Sequence, residues 1–249
     1  MENAQVSAPA RLLAAAIVLA PATALAAVCD PYGGSGLTVL EGSTVCFVYD
    51  PANVDPLFGT LQVSGDNVFV TPTSFKAEST DAQGTVVTSA TGTIQVVAKP
   101  GYVLDAINVG EIGDYRMVGG TGTGVDVDGW LRVFDWFDPT PFFGTEETAT
   151  LAISGDLTIA DGNLHNWTGQ GGFDLTTPTW DGRDHVGLTL QNTLTAISTV
   201  SGESAMIQKK AVGSEITVSV ATTAVVPLPG ALWLFGAGLA GLVGVARRR

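Results

Sequence analysis

Residues 93–109 read TIQVVAKPGYVLDAINV, and this stretch carries the clearest indication of the fold. Both of its halves are rich in Val, Ile, Thr and Tyr, residue types that favour β-strands. The intervening Lys99-Pro100-Gly101 is typical of a tight turn, because Pro presets φ and Gly accepts a positive φ. The pattern predicts a hairpin of two strands, at 93–98 and 102–109.

Similar short runs, separated by Gly, Pro, Asn and Asp, recur from Gly36 to about residue 222, with no helical stripe of helix length. Many short strands with frequent turns predict an all-β protein, a single jelly-roll-like β-sandwich spanning residues 27–224. A β-helix is the alternative, although it normally shows a repeat of constant length. Further strands are predicted at 43–49, 61–64, 68–71, 85–89, 114–118, 129–134, 149–159, 186–197 and 215–220.

The composition restricts the partners of this body. The chain has 249 residues and a formal net charge of -13. Seven basic and 23 acidic residues lie between its two ends, so the excess negative charge belongs to the body. Such a surface repels nucleic acid and anionic lipid, and no nucleic-acid partner is expected.

The N-terminus has the pattern of a secretory signal peptide. Arg11 precedes the apolar run 12–20, Pro21 interrupts it, and Ala24-Leu25-Ala26 supplies small residues for signal peptidase. We therefore predict a signal peptide at residues 1–26 and an exported protein. A buried apolar helix of the folded domain is the alternative.

The chain contains two cysteines, Cys29 and Cys46. In an exported protein, such a close pair predicts a disulfide, worth roughly 3 kcal/mol on the chain-entropy model. Two free buried thiols are the alternative. A metal site is not expected, because only His165 and His185 are available as further ligands.

Residues 129–143, GWLRVFDWFDPTPFF, concentrate aromatic side chains. On an exposed surface they would be able to stack on sugar rings. The favoured interpretation is a filled core, because alternation places Trp130, Phe134 and Trp136 on one face of a strand.

Other candidate sites are weak. Asp126 and Asp128 lie in a GVDVDG stretch that resembles the start of a calcium loop, but Phe137 occupies the twelfth position, so the EF-hand pattern fails. They remain weak calcium candidates, and no other cofactor is expected. The polar cluster 181–185 is more typical of a turn than of a catalytic site, and no nucleophile or zinc motif is present in the sequence. We therefore expect no enzymatic activity.

The chain ends with VPLPGALWLFGAGLAGLVGVARRR, residues 226–249. Residues 230–246 carry no charge and would span about 25 Å as a helix, which predicts a transmembrane span. Arg247, Arg248 and Arg249 follow it and would stay on the cytoplasmic side, leaving the body outside.

The order of Pro-x-Pro, apolar span and terminal arginines resembles the PEP-CTERM sorting signal of Gram-negative bacteria. Val226, Pro227, Leu228 and Pro229 stand where the family usually has Val-Pro-Glu-Pro, and Leu228 replaces its Glu. The same tail is also described as an ice-binding-protein C-terminal domain, a label that implies no ice binding here. The resemblance covers residues 225–249 and says nothing about the body.

The resemblance implies processing by exosortase near the Pro-x-Pro site. It implies an inner-membrane intermediate, followed by transfer to the cell envelope surface or the extracellular biofilm matrix, where extracellular polysaccharide is a candidate partner. The expected function is that of a non-enzymatic exported surface or matrix protein. The alternative is a secreted carbohydrate-binding module or glycan-active enzyme built on the same sandwich.

Overall fold

The computed structural model describes residues 29, 34–72, 74–140, 144–209 and 216–225. They form fourteen β-strands and three single-turn 3-10 helices, at Pro51–Asn53, Pro56–Phe58 and Pro178–Trp180. In chain order the strands are β1 (Thr38–Glu41), β2 (Val45–Tyr49), β3 (Leu61–Ser64), β4 (Asn67–Val70), β5 (Lys76–Thr80), β6 (Gly84–Ala98), β7 (Tyr102–Val118), β8 (Thr123–Asp135), β9 (Glu146–Thr150), β10 (Ala152–Ser154), β11 (His165–Asp174), β12 (His185–Ser198), β13 (Ser204–Lys209) and β14 (Ile216–Ala224).

The strands form two antiparallel sheets. Sheet 1 has the order β1-β2-β6-β12-β8-β9, and sheet 2 has the order β10-β11-β7-β14-β4-β3. In sheet 2, β13 pairs with the C-terminal part of β7 and carries β5 on its other edge. The all-β expectation and the packing of two sheets are confirmed, while the jelly-roll connectivity stays a prediction.

The predicted hairpin at 93–109 is wrong. β6 pairs with β2 and β12 in sheet 1, whereas β7 pairs with β11, β13 and β14 in sheet 2. The turn itself is present, since Tyr102 N–H donates to Lys99 O at 3.0 Å. It carries the chain from sheet 1 to sheet 2. The same local turn is able to join two paired strands of one sheet or two strands of different sheets.

The predicted strands at 61–64 and 186–197 lie within a residue of β3 and β12, while β1, β5, β11 and β13 were not predicted. β11 shows why: its sequence HNWTGQGGFD contains three glycines and few β-formers. It is nevertheless a strand, because it pairs with β7 over ten residues, from His165–Tyr115 to Asp174–Ala106. Tertiary pairing overrides local propensity there.

The hydrophobic core lies between the two sheets. Its largest members include Phe47, Phe75, Leu131 and Trp167, all of them almost fully buried. The Trp167 indole packs against Gly113 of the neighbouring strand, where an added Cβ would approach a ring atom to 2.2 Å. Glycine is therefore required at position 113 by close packing.

The predicted disulfide between Cys29 and Cys46 is confirmed. It packs with Val97 and Val39 in a small cluster separate from the main core. Val97 points away from the core, because its neighbours Val96 and Ala98 belong to the main core cluster and side chains alternate along a strand. The disulfide therefore covers part of the outer face of sheet 1.

Among the described residues, no helix is long and apolar enough to cross a bilayer. The predicted signal peptide at 1–26 and the predicted span at 230–246 lie outside those residues, as do the tail residues from Val226 to Arg249. The last described strand, β14, lies between β7 and β4.

Candidate functional site

The aromatic strand β8 faces the opposite way from the prediction. Its core-facing residues are Val127, Leu131 and Val133. Trp130 and Trp136 are only half-buried, and Phe134 is buried without belonging to the core. The expectation that these aromatic residues fill the core is wrong, because alternation along β8 places them on the outer face of sheet 1.

Phe134 is buried on that outer face by a glycine. It pairs with Gly187 of β12, and a Cβ at 187 would approach the Phe134 ring to 2.2 Å. The Arg132 guanidinium covers the ring at 4.4 Å from its centroid and donates from Nε to Glu146 at 2.5 Å. The end of the ring thus packs against Gly187, and the paired Arg132 cation covers the ring.

Trp136 is fixed by a stacked histidine. Its ring lies parallel to that of His185, with centroids 5.7 Å apart and planes 9° apart. His185 Nε2 lies 2.9 Å from Gln95 Oε1, and burial lowers the pKa of His185, which favours the neutral imidazole. The Trp136 ring is therefore held in place by buried, uncharged groups.

Phe134 and Trp136 form one wall of an open cleft of about 800 Å³ on the outer face of sheet 1. Its floor is the hydroxyl-bearing part of β6, Ser89, Thr91 and Thr93, and the opposite wall is the segment 51–56. Pro139 extends the aromatic wall.

The wall at 51–56 stands beside β6 because β2 pairs with β6 only as far as Gln95. Beyond that point Val54 bridges to Gly92, and Asp55 N–H donates to Thr91 O at 3.0 Å. Asp50 and Asp55 side chains also accept from Ala52 N–H and Leu57 N–H, each at 2.9 Å. These caps give the wall a defined backbone conformation.

The floor carries a ladder of hydroxyls across two strands. Thr93 Oγ1 lies 2.9 Å from Thr189 Oγ1, and Ser89 Oγ lies 3.0 Å from Thr193 Oγ1. Thr91 is exposed between these pairs. The floor therefore offers donors and acceptors at a spacing set by the strands.

The arginines near the cleft, Arg132 and Arg183, are paired with carboxylates. Arg183 Nε lies 2.9 Å from Asp135 Oδ2, and its Nη2 donates to Thr145 Oγ1 at 2.7 Å. The cluster 181–185 thus supplies a bridging arginine and a buried histidine. In the part of the chain that the structure describes, no group of three His, Cys, Asp or Glu side chains is placed to hold a metal ion. Asp126 and Asp128 are exposed on β8, paired with Thr195 and Thr193.

Sequence reasoning missed a second, interior polar feature. Lys209 of β13 and Glu111 of β7 form an ion pair whose side chains are both 0% exposed. The Lys209 ammonium lies 5.0 Å from the Trp167 ring and 5.5 Å from the Phe75 ring. Burial raises the pKa of Glu111 and lowers the pKa of Lys209, while their mutual attraction acts in the opposite direction. The only sequence signal was Lys209 alternating with Ile207 and Ala205 on β13.

A third polar cluster lies on the surface, near the start of β11. Asp161 Oδ1 lies 2.8 Å from His165 Nε2, and Asp161 also accepts from Asn163 N–H at 2.9 Å. These hydrogen bonds, that of His165 above all, hold the pKa of Asp161 well below its usual range.

The described residues therefore define an acidic, disulfide-bonded β-sandwich, of a class expected outside the cytoplasm. Residues 225–249 match the family model for the PEP-CTERM protein-sorting motif. The chain carries this motif, which directs exported proteins to exosortase and to the cell surface in Gram-negative bacteria.

The body is not identified by the other comparisons. No match is found among curated proteins. One matching solved structure is that of the infectious bursal disease virus Gt strain, with 12% identity and a TM-score of 0.23. The match covers 74% of this chain and only 50% of the viral chain, and a likeness of this size carries no functional argument.

Proposed function

We propose that this protein is a non-enzymatic surface or biofilm-matrix protein whose C-terminal segment is a temporary membrane anchor. Residues 230–246 hold it in the inner membrane, with Arg247–Arg249 on the cytoplasmic side. A sorting enzyme of the exosortase type then cuts near Pro227–Pro229 and releases the β-sandwich outward.

The observation that carries the proposal is the end of β14. This strand lies between β7 and β4, pairs with β7 up to the Ala224–Tyr102 pair, and ends one residue before the matched motif begins. Val225 N–H still donates to Gly101 O at 2.8 Å. Cleavage beyond residue 226 therefore leaves every pairing of β14 in place, and the sandwich keeps its core after release.

The absence of catalysis is supported by the state of the polar groups near the cleft. Arg132 is paired with Glu146, Arg183 is paired with Asp135, and His185 is buried beside Gln95. A general acid or base needs a free proton-transfer position within hydrogen-bonding reach of a substrate. These groups are instead committed to holding the cleft wall.

Mass spectrometry of the C-terminus tests the sorting step. In surface material from the native host, we expect a mature protein that ends near Pro227–Pro229 and lacks the three arginines. A double variant, Pro227→Ala with Pro229→Ala, should accumulate uncut in the membrane. Mature surface protein that still ends in Arg249 would contradict the cut and leave a permanent anchor.

The proposal that the protein is not an enzyme has a separate assay. Incubation of the purified protein with soluble polysaccharides should release no new reducing ends above a boiled-protein control. Release that is lost on mutation of Asp135 or Glu146 would instead establish a glycan-active enzyme.

A further inference from the structure

We propose that the cleft on the outer face of sheet 1 binds a neutral polysaccharide chain, with Trp136 as its stacking platform. The proposal goes beyond the sorting function and does not depend on it, because it concerns the folded body alone. It rests on the shape, the chemistry and the charge of the cleft.

The cleft combines two kinds of surface that a sugar ring requires. Sugar rings present apolar C–H faces and a rim of hydroxyls. Trp136 supplies the flat apolar surface, and its indole has one polar N–H at its edge; Phe134 lines the same wall, but its ring is buried under Arg132. Ser89, Thr91 and Thr93 supply hydroxyls along the floor. Such a mixture of aromatic walls and a few oriented polar groups is typical of ligand sites.

The size of the cleft suits several sugar units. Its volume of about 800 Å³ lies towards the upper end of the range of ~300–1,000 Å³ for small-molecule sites. The cleft is open to solvent. A polymer requires an open site, because the polysaccharide chain must leave the site at both ends.

The walls are held in position before any ligand arrives. Trp136 is stacked on His185, Phe134 lies on Gly187, and the segment 51–56 is bonded to β6 through Val54 and Asp55. Binding then orders few additional side chains, and more of the contact energy remains as affinity.

Charge selects a neutral polymer over an acidic one. The two arginines near the cleft are both paired with carboxylates, Arg132 with Glu146 and Arg183 with Asp135. Between its two ends the chain carries 23 acidic residues against seven basic ones. A polyanion would meet a repulsive field and, among the described residues near the cleft, arginines that are already paired, whereas a neutral chain would not be repelled.

Affinity gel electrophoresis of the full-length protein in a neutral detergent tests the proposal. The gels contain dextran, amylose, mannan or mixed-linkage β-glucan as neutral probes, and alginate as the acidic probe. We expect retardation by at least one neutral polymer and none by alginate. Trp136→Ala should weaken that binding about tenfold or more.

Two further variants keep the test decisive. Thr91→Arg places a long side chain on the exposed floor and should block binding without disturbing the fold, which its unfolding temperature would verify. Trp130→Ala is the matched control, since Trp130 lies on the same face of β8 but does not line the cleft. It should bind as the parent does.

The proposal is overturned if none of the four neutral polymers retards the folded protein, or if alginate binds at least as well. It is also overturned if Trp136→Ala and Thr91→Arg both bind normally. Because these assays use purified protein, their failure is separate from a failure of sorting, which the C-terminal mass reports.

Discussion

Opposite pH responses are expected when the buried pair of Lys209 and Glu111 is broken from its two sides. Both side chains are fully buried, in contact with each other and next to Trp167 and Phe75. Removal of one partner of such a pair typically costs about 3–5 kcal/mol of stability, because the other charge is left in an apolar site. That is a large part of the roughly 5–15 kcal/mol that stabilises a typical domain.

Lys209→Met leaves Glu111 alone, and the cheapest response is protonation of the carboxyl. Neutralising a Glu of ordinary pKa near 4.3 costs about 1.4 kcal/mol per pH unit above that value, so roughly 4 kcal/mol at pH 7. Glu111 then has a folded pKa above its unfolded one, and its protonation favours the fold at low pH. The penalty should therefore fall to about 1 kcal/mol at pH 5.

Glu111→Gln leaves Lys209 alone, and the response is loss of its proton. Neutralising a Lys of ordinary pKa near 10.4 costs about 4–5 kcal/mol at pH 7 and about 2 kcal/mol at pH 9. The folded pKa is now below the unfolded one, so this penalty falls as the pH rises. The double variant Lys209→Met, Glu111→Met should recover most of the loss, because well-packed apolar replacements of buried ion pairs are often neutral.

Urea unfolding followed by tryptophan fluorescence at pH 5, 7 and 9 measures these free energies, with the disulfide kept oxidised. Each variant is compared with the parent protein at the same pH. A loss below about 1 kcal/mol for both single variants at pH 7, or pH slopes of the same sign, would refute the reasoning, since either result means that the pair is hydrated.

Three further predictions concern separate parts of the sandwich. Cys29→Ser should lower the free energy of unfolding by roughly 3 kcal/mol, and a reducing agent should destabilise the parent equally but leave the variant unchanged. Gly113→Ala should lower the free energy of unfolding by about 1–3 kcal/mol or more, since the new methyl group meets the Trp167 ring. Gly110→Ala is the control, because position 110 lies on the same strand and has open space around it. Equal melting temperatures of the two variants would contradict the packing argument. The pKa of Asp161 is lower in the folded than in the unfolded protein, so its contribution to the free energy of unfolding is present above about pH 3.9 and is lost as the pH falls. Asp161→Asn should therefore flatten the acid limb of the curve of stability against pH. An unchanged limb would exclude the contact with His165 as a source of acid-sensitive stability.

Local sequence chemistry was sufficient for the features that depend on a few neighbouring residues. The Cys29–Cys46 bond, the all-β class and the sorting motif at 225–249 all follow from short patterns, and all are confirmed. Each depends on a local property of the sequence: a close pair of cysteines, a high β-strand propensity, or an apolar run that ends in charged residues.

The tertiary structure decided how these local pieces face one another. A period of two shows that side chains alternate, but it does not show which face is buried when both are apolar, as on β8. There Leu131 and Val133 enter the core, and Phe134 and Trp136 form the cleft wall.

The turn at 99–101 shows the same limit. Its hydrogen bond from Tyr102 to Lys99 is local, whereas the partners of β6 and β7 lie in distant parts of the chain. The contact between Lys209 and Glu111 joins residues 98 positions apart. No local pattern encodes such a contact, because its free energy arises only when both sheets exclude water together.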